Sequence, residues 1–222
     1  MEIMIQGGII MTAKLILIEG GDGSGKSTLV HNLAEALKKE GQDVIVTREP
    51  GGSPKAEEIR RLILQRETGD NFSPDAEMLL FYAARLQHLS DIIVPALIHG
   101  EMVICDRFEV STFAYQIHAR SGNEPLFAKL HQEVVRLLKP LNVHCVYAHC
   151  DIDPEIAAKR VMSAGRLLPD VFDAREQAFH EKVREGYKVA SLHLDTMFEH
   201  VVLDASKTPE EVLAEARNKL NL

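Results

Sequence analysis

The sequence has no uninterrupted apolar run approaching the roughly 18 residues needed to cross a bilayer, which argues against an integral membrane protein. Cysteine is scarce: Cys105, Cys145 and Cys150 form no Cys-x-x-Cys pair and leave an odd count. A disulfide framework is therefore not expected, and a reducing compartment, the cytoplasm, is. Positive charge is in deficit, with 25 Lys and Arg against 33 Asp and Glu and a formal charge of -8. Coating a phosphate backbone needs the opposite balance, so no nucleic-acid partner is expected and any anionic ligand has to be caught by a local cluster. The opening MEIMIQGGIIM has no Lys or Arg before its apolar patch and no small-residue cleavage site. It reads as a loose tail over residues 1–13, with Met11 as a second candidate start, rather than as a secretory signal.

What is present suits one compact domain: 222 residues, 45% hydrophobic and 26% charged, with no repeat, low-complexity tract or linker. A single domain over 14–222 is the economical reading. Short apolar runs at 14–19, 43–47, 102–105, 144–150 and 201–203 have strand length. Between them, 27–39, 74–97, 125–138, 154–162, 175–192 and 209–220 repeat apolar residues at helical spacing. Several of these helices open with Pro after Ser, Asp or Thr, a start signal. The alternation predicts an α/β fold in three layers, a parallel five-stranded sheet flanked by helices.

The first strand runs into Gly20-Gly21-Asp22-Gly23-Ser24-Gly25-Lys26-Ser27-Thr28 and then into a helix. This is Gly-x-x-x-x-Gly-Lys-Ser/Thr in its strand-loop-helix context. Glycines let successive N–H groups converge on one centre, and the helix amino terminus adds partial positive charge. Such a nest suits the phosphates of ATP, with Lys26 reaching the β- and γ-oxygens and the Ser27 hydroxyl ligating magnesium. A carboxylate closing an apolar strand belongs near that metal, and Asp106 at the end of Met102-Val103-Ile104-Cys105 supplies one. Arg107 follows it directly, at the sheet edge where open α/β folds bind ligands. No Asn-Lys-x-Asp guanine reader follows a strand, which lowers a GTPase reading. His144, Cys145, His149 and Cys150 alternate faces on one strand, so they read as strand residues rather than a metal site. No Ser, His and Asp set carries a nucleophile-elbow pattern.

From Lys14 to the carboxyl terminus the chain resembles the thymidylate kinases, phosphate-loop nucleoside monophosphate kinases with a short lid. The resemblance rests on Glu19 through Thr28, Thr47-Arg48-Glu49-Pro50-Gly51-Gly52, Leu80-Phe81-Tyr82-Ala83-Ala84-Arg85, Asp106-Arg107-Phe108 and Ser111-Thr112-Phe113-Ala114-Tyr115-Gln116, in that order. It implies ATP-dependent phosphorylation of dTMP to dTDP in dTTP biosynthesis, with magnesium and in a homodimer. Arg48, Arg85 and Arg107 would then converge on the acceptor 5′-phosphate, where planar guanidinium forks grip oxygens in pairs. Phe81 would stack on thymine, and Asp22 would accept from the 3′-hydroxyl. Ser111, Thr112 and Gln116 would meet the polar edge of the base, and Tyr115 would crowd the sugar 2′ position. A cis bond before Pro50 is also implied.

Residues 163–173, punctuated by Gly165 and Pro169, join two helices where a closing lid belongs. Related enzymes take the arginine that neutralises the transferring phosphoryl group from the phosphate loop or from this lid. The loop position after Asp22 is Gly23, and Val171 follows Asp170 where bacterial lids have Arg. Arg166 is the first candidate, with Arg160 and Arg175 behind it. Two alternatives stay open: another nucleoside monophosphate kinase, and a nucleotide-binding regulatory protein that has lost transfer.

Overall fold

The computed structural model describes residues 13–64, 72–163 and 177–222. Among these, five strands form one parallel sheet: β1 (Lys14–Glu19), β2 (Val44–Arg48), β3 (Met102–Asp106), β4 (His144–Asp151) and β5 (Phe198–Asp204), in the order β2-β3-β1-β4-β5. The central position of β1 follows from its composition. Leu15 and Leu17 face one core and Ile16 and Ile18 the other, all four fully buried. A strand covered on both faces has to be apolar throughout. Val46 on β2 and Val202 on β5 are exposed, as edge-strand positions allow.

One face is covered by α1 (Lys26–Lys39), α7 (Pro154–Ser163) and α9 (Pro209–Lys219), which contribute Leu33, Ala157 and Ala216 to its core. On the other face lie α3 (Pro74–His88), α4 (Val94–Ile98), α5 (Glu109–Thr112), α6 (Glu124–Leu138) and α8 (Gln177–Val189), with Tyr82, Leu97, Val110, Phe127 and Tyr187 inside. The Pro start signals correspond to real caps. Ser73 accepts from the Ala76 N–H, and Thr208 and Glu211 form a reciprocal capping box. None of the described helices is long and apolar enough to cross a membrane.

The strand register builds the site. Arg48 pairs with Asp106, and Asp106 with Ile18, so three consecutive strands end in one row at the carboxyl edge. Elsewhere the elements depart from expectation. The helix expected over 74–97 divides into α3, a wider π turn at Leu89–Ile93 and α4. Pro95 explains the break, since it has no N–H to donate and its ring crowds the preceding turn; the Val94 N–H reaches back five residues to Leu89. A second wide turn, Phe113–His118, extends α5 and carries Tyr115 and Gln116. The helix α2 (Pro54–Leu64) was not expected, and β5 begins earlier than predicted. Residues 1–12 of the expected 1–13 tail and 164–173 of the expected 163–173 lid lie outside the described residues.

Candidate active site

The phosphate loop turns on three glycines with positive φ, Gly20 at 143°, Gly23 at 77° and Gly25 at 83°, and Gly25 caps α1. Lys26 is buried, its Nζ donating to the Gly21 carbonyl at 2.7 Å. Burial lowers its pKa, with nearby Arg107 adding to the effect against Asp22 and Asp106. Ser27 Oγ donates to Asp106 Oδ2 at 2.7 Å, so the two expected metal-side residues meet across 79 positions of sequence. They offer one hydroxyl and one carboxylate, both hard oxygen donors. That set fits magnesium, which keeps several waters and shares substrate phosphates. Among the described residues no three His, Cys, Asp or Glu side chains group to hold a metal ion alone.

A cavity of about 370 Å³ gathers Asp22, Gly23, Gly25, Lys26, Ser27 and Thr28 of the loop with Arg48, Asp106 and Arg107 at the strand ends. It continues to Phe81 and Arg85 of α3 and to Ser111, Thr112, Tyr115 and Gln116. Gly20, Gly21 and Ser24 stand behind this lining. Gly20 and Gly21 act through their carbonyls, and Ser24 is buried with its hydroxyl unpartnered among the described residues.

Arg107 sits at φ 71°, and its N–H pairs with the Ile18 carbonyl at 2.8 Å, continuing the sheet ladder as the chain turns. Its Nη1 donates to the Gly20 carbonyl and to the Ser111 and Tyr187 hydroxyls, and its Nη2 to Asp22. The Arg107 and Asp22 side chains are each 19% exposed, so the pair opens to the cavity. Tyr115 Oη donates to the other Asp22 oxygen at 3.2 Å. Burial, reinforced by Asp22, holds the Tyr115 phenol protonated.

Arg85 is in a different state, 1% exposed, with Nε on Glu49 at 2.7 Å and Nη2 on Thr112 at 3.1 Å. Only Nη1 lacks a partner among the described residues. The guanidinium lies between the Tyr82 and Phe108 rings, 4.7 and 5.0 Å from their centres. Glu49 also meets His88 Nδ1, whose Nε2 pairs with the Thr47 hydroxyl. Gly52 turns beside that imidazole at φ 87°, where a Cβ would fall 2.4 Å from His88 Nε2. The Glu49–Pro50 bond is cis, as the resemblance implied. Arg48 is half exposed and pairs with Glu57.

Several contributors escaped the sequence reading. Glu19, fully buried, accepts from the Phe108 and Ser111 N–H groups and from the Ser111 hydroxyl, fixing the turn after β3; burial raises its pKa. Arg60 lines the cavity from the unexpected α2 and donates to the Pro50 carbonyl. Tyr187 joins α8 to Gly20 and Ser111. Glu19 opens the loop motif but was given no role there, and Arg60 and Tyr187 have no motif; the partners of Glu19 and Tyr187 lie far away in sequence. Arg160 donates to the Ala205 and Ser206 carbonyls and does not line the cavity, while Arg166 and Arg175 lie outside the described residues.

A family model described as thymidylate kinase matches residues 18–216. The chain belongs to the thymidylate kinase family. A thymidylate kinase of Ectopseudomonas mendocina is 40% identical over 205 residues, covering 92% of this chain and 93% of that one. One from Cereibacter sphaeroides is 42% identical over 202 residues, 90% and 91% of the two chains. The crystal structure of the Ehrlichia chaffeensis thymidylate kinase matches with a TM-score of 0.69 at 27% identity, over 95% of this chain and 99% of that one. Within this thymidylate kinase fold, the glycine at position 23 has a structural cause. A Cβ there would meet the Ala157 carbonyl oxygen of α7 at 2.4 Å.

Proposed function

We propose that the chain transfers the γ-phosphoryl group of ATP to the 5′-phosphate of dTMP, giving ADP and dTDP. The observation that carries the reading is one cavity shared by a full phosphate loop and guanidinium groups from separate strand ends, in a chain of this family. Loop amides and Lys26 would hold the donor phosphates, and Ser27 and Asp106 would hold magnesium, which supplies charge neutralisation at the β- and γ-oxygens. An oxygen of the dTMP monoester bonds to the γ-phosphorus as the bond to the β-bridging oxygen breaks and ADP leaves. That oxygen is already anionic at neutral pH, so no general base is needed and catalysis is positioning and electrostatics.

Arg107 and Arg48 would hold the acceptor monoester, Arg107 exchanging its Asp22 contact for phosphate and freeing that carboxylate for the sugar 3′-hydroxyl. Arg85 has one nitrogen, Nη1, to offer rather than a two-nitrogen fork, which suits a single carbonyl oxygen on the base better than a phosphate edge. Phe81 would stack on thymine, Ser111 and Thr112 would line its polar side, and Tyr115 would crowd a ribose 2′-hydroxyl. Arg166 would supply the lid cation, and a homodimer is the assembly that the family resemblance supports. Competing dTMP, dUMP, UMP, CMP and AMP at fixed ATP tests the reading. Preferential dTDP formation is expected, and a clear preference for a ribonucleotide, or ATP binding without transfer, defeats it.

A further inference from the structure

Gln116 is 1% exposed and lines the cavity, yet its amide nitrogen is turned away to donate to Glu77 Oε2 at 2.8 Å. Glu77 is fully buried in the first turn of α3, and the same oxygen accepts from Arg120, which also donates to the Phe72 carbonyl at 2.8 Å. A carboxylate accepts and cannot donate, so Glu77 admits only the NH2 side of the Gln116 amide. The carbonyl oxygen is then the group left for a ligand.

We infer that Glu77, neutralised by Arg120, is a positioning residue that selects the acceptor base by fixing which end of the Gln116 amide faces the cavity. The inference rests on the monophosphate-kinase reading above. Thymine and uracil carry a carbonyl at C4 beside an N3–H; cytosine carries an amino group beside a bare N3. Arg85 Nη1 as donor and Gln116 Oε1 as acceptor complement the first pattern and oppose the second at both points. A free amide could turn over and accommodate cytosine at N3; the amide held by Glu77 cannot. Discrimination then comes from an unpaired buried group in the wrong complex.

The test measures kcat and KM for dTMP and dCMP in the native enzyme, in Glu77→Leu/Arg120→Leu, which removes both charges together, and in Glu77→Asp, which withdraws the carboxylate while keeping it ionic. The dTMP to dCMP ratio of kcat/KM should fall about ten- to a hundredfold in the double variant, through KM with little change in kcat, and less in Glu77→Asp. In a Gln116→Ala background the same changes should leave the ratio alone, because Glu77 acts through Gln116. If both substrates weaken together with the ratio preserved, or the ratio shifts equally without Gln116, the inference is overturned. Should the double variant not fold, Glu77→Asp alone decides by the same ratio. A native enzyme that prefers another monophosphate would defeat the earlier reading separately, before any variant is measured.

Discussion

A Cβ on Gly23 would stand 2.4 Å from the carbonyl oxygen of Ala157, so the phosphate loop and α7 touch backbone to backbone. At φ 77° the position also disfavours any L side chain. An arginine installed there therefore does not recreate a loop cation. Gly23→Arg is expected to lose about 2 kcal/mol, a fall in Tm of roughly 4–8 °C for a chain of this size, together with turnover. Calorimetry beside a steady-state assay checks this. A variant as stable as the native enzyme and faster would contradict the packing argument.

Ser27 and Asp106 share one short hydrogen bond, which orients both oxygens toward the same point. Ser27→Ala should raise the magnesium concentration needed for half-maximal turnover by about ten- to a hundredfold while dTMP binding is unchanged. A magnesium titration at saturating nucleotides reads it. An unaltered requirement removes Ser27 from the metal side.

Arg85 and Glu49 form an ion pair with both side chains almost fully buried. Removing one partner leaves an uncompensated charge, so Arg85→Met should cost about 3–5 kcal/mol in urea unfolding, and adding Glu49→Gln should return part of it. A single variant within about 1 kcal/mol of the native chain would show the pair to be dispensable.

The central strand and the phosphate loop were legible because their requirements are local. A strand buried on both faces leaves an unbroken apolar run in Leu15 to Ile18, and a nest of N–H groups leaves its glycines. Helix α2 left a weaker trace, since it buries only Ala56 and Ile63, although Ser53-Pro54 is the same kind of start signal seen before α3. Apolar periodicity ran through Pro95 because spacing does not register a missing N–H. The buried partners of Arg85 and Gln116 could not be read, because Glu49 lies 36 residues from Arg85 and Glu77 lies 39 from Gln116. Charge partners across a fold leave no periodic signal in a single sequence.

His149, on β4, is 7% exposed and stacks on the Tyr187 ring at 4.9 Å. Burial lowers its pKa from 6.5 to about 4, with Asp151 opposing. Above pH 6.5 the imidazole is neutral folded and unfolded, and stability is full. As pH falls from 6.5 to 4 the unfolded chain takes the proton first, so about 3 kcal/mol is lost across that window. His149→Phe should lack this loss, and its unfolding free energy should gain on the native chain between pH 7 and pH 4. Parallel pH profiles would contradict the assignment.

Two anionic nucleotides meeting end to end in the 370 Å³ cavity is the claim on which the account depends. A crystal structure with dTMP and a non-hydrolysable ATP analogue tests it most directly. The analogue's β- and γ-phosphates are expected on the loop amides and Lys26, the dTMP monoester on Arg107 and Arg48, and the base against Phe81. Density placing the monoester away from Arg107 and Arg48, or the base away from Phe81, would contradict it.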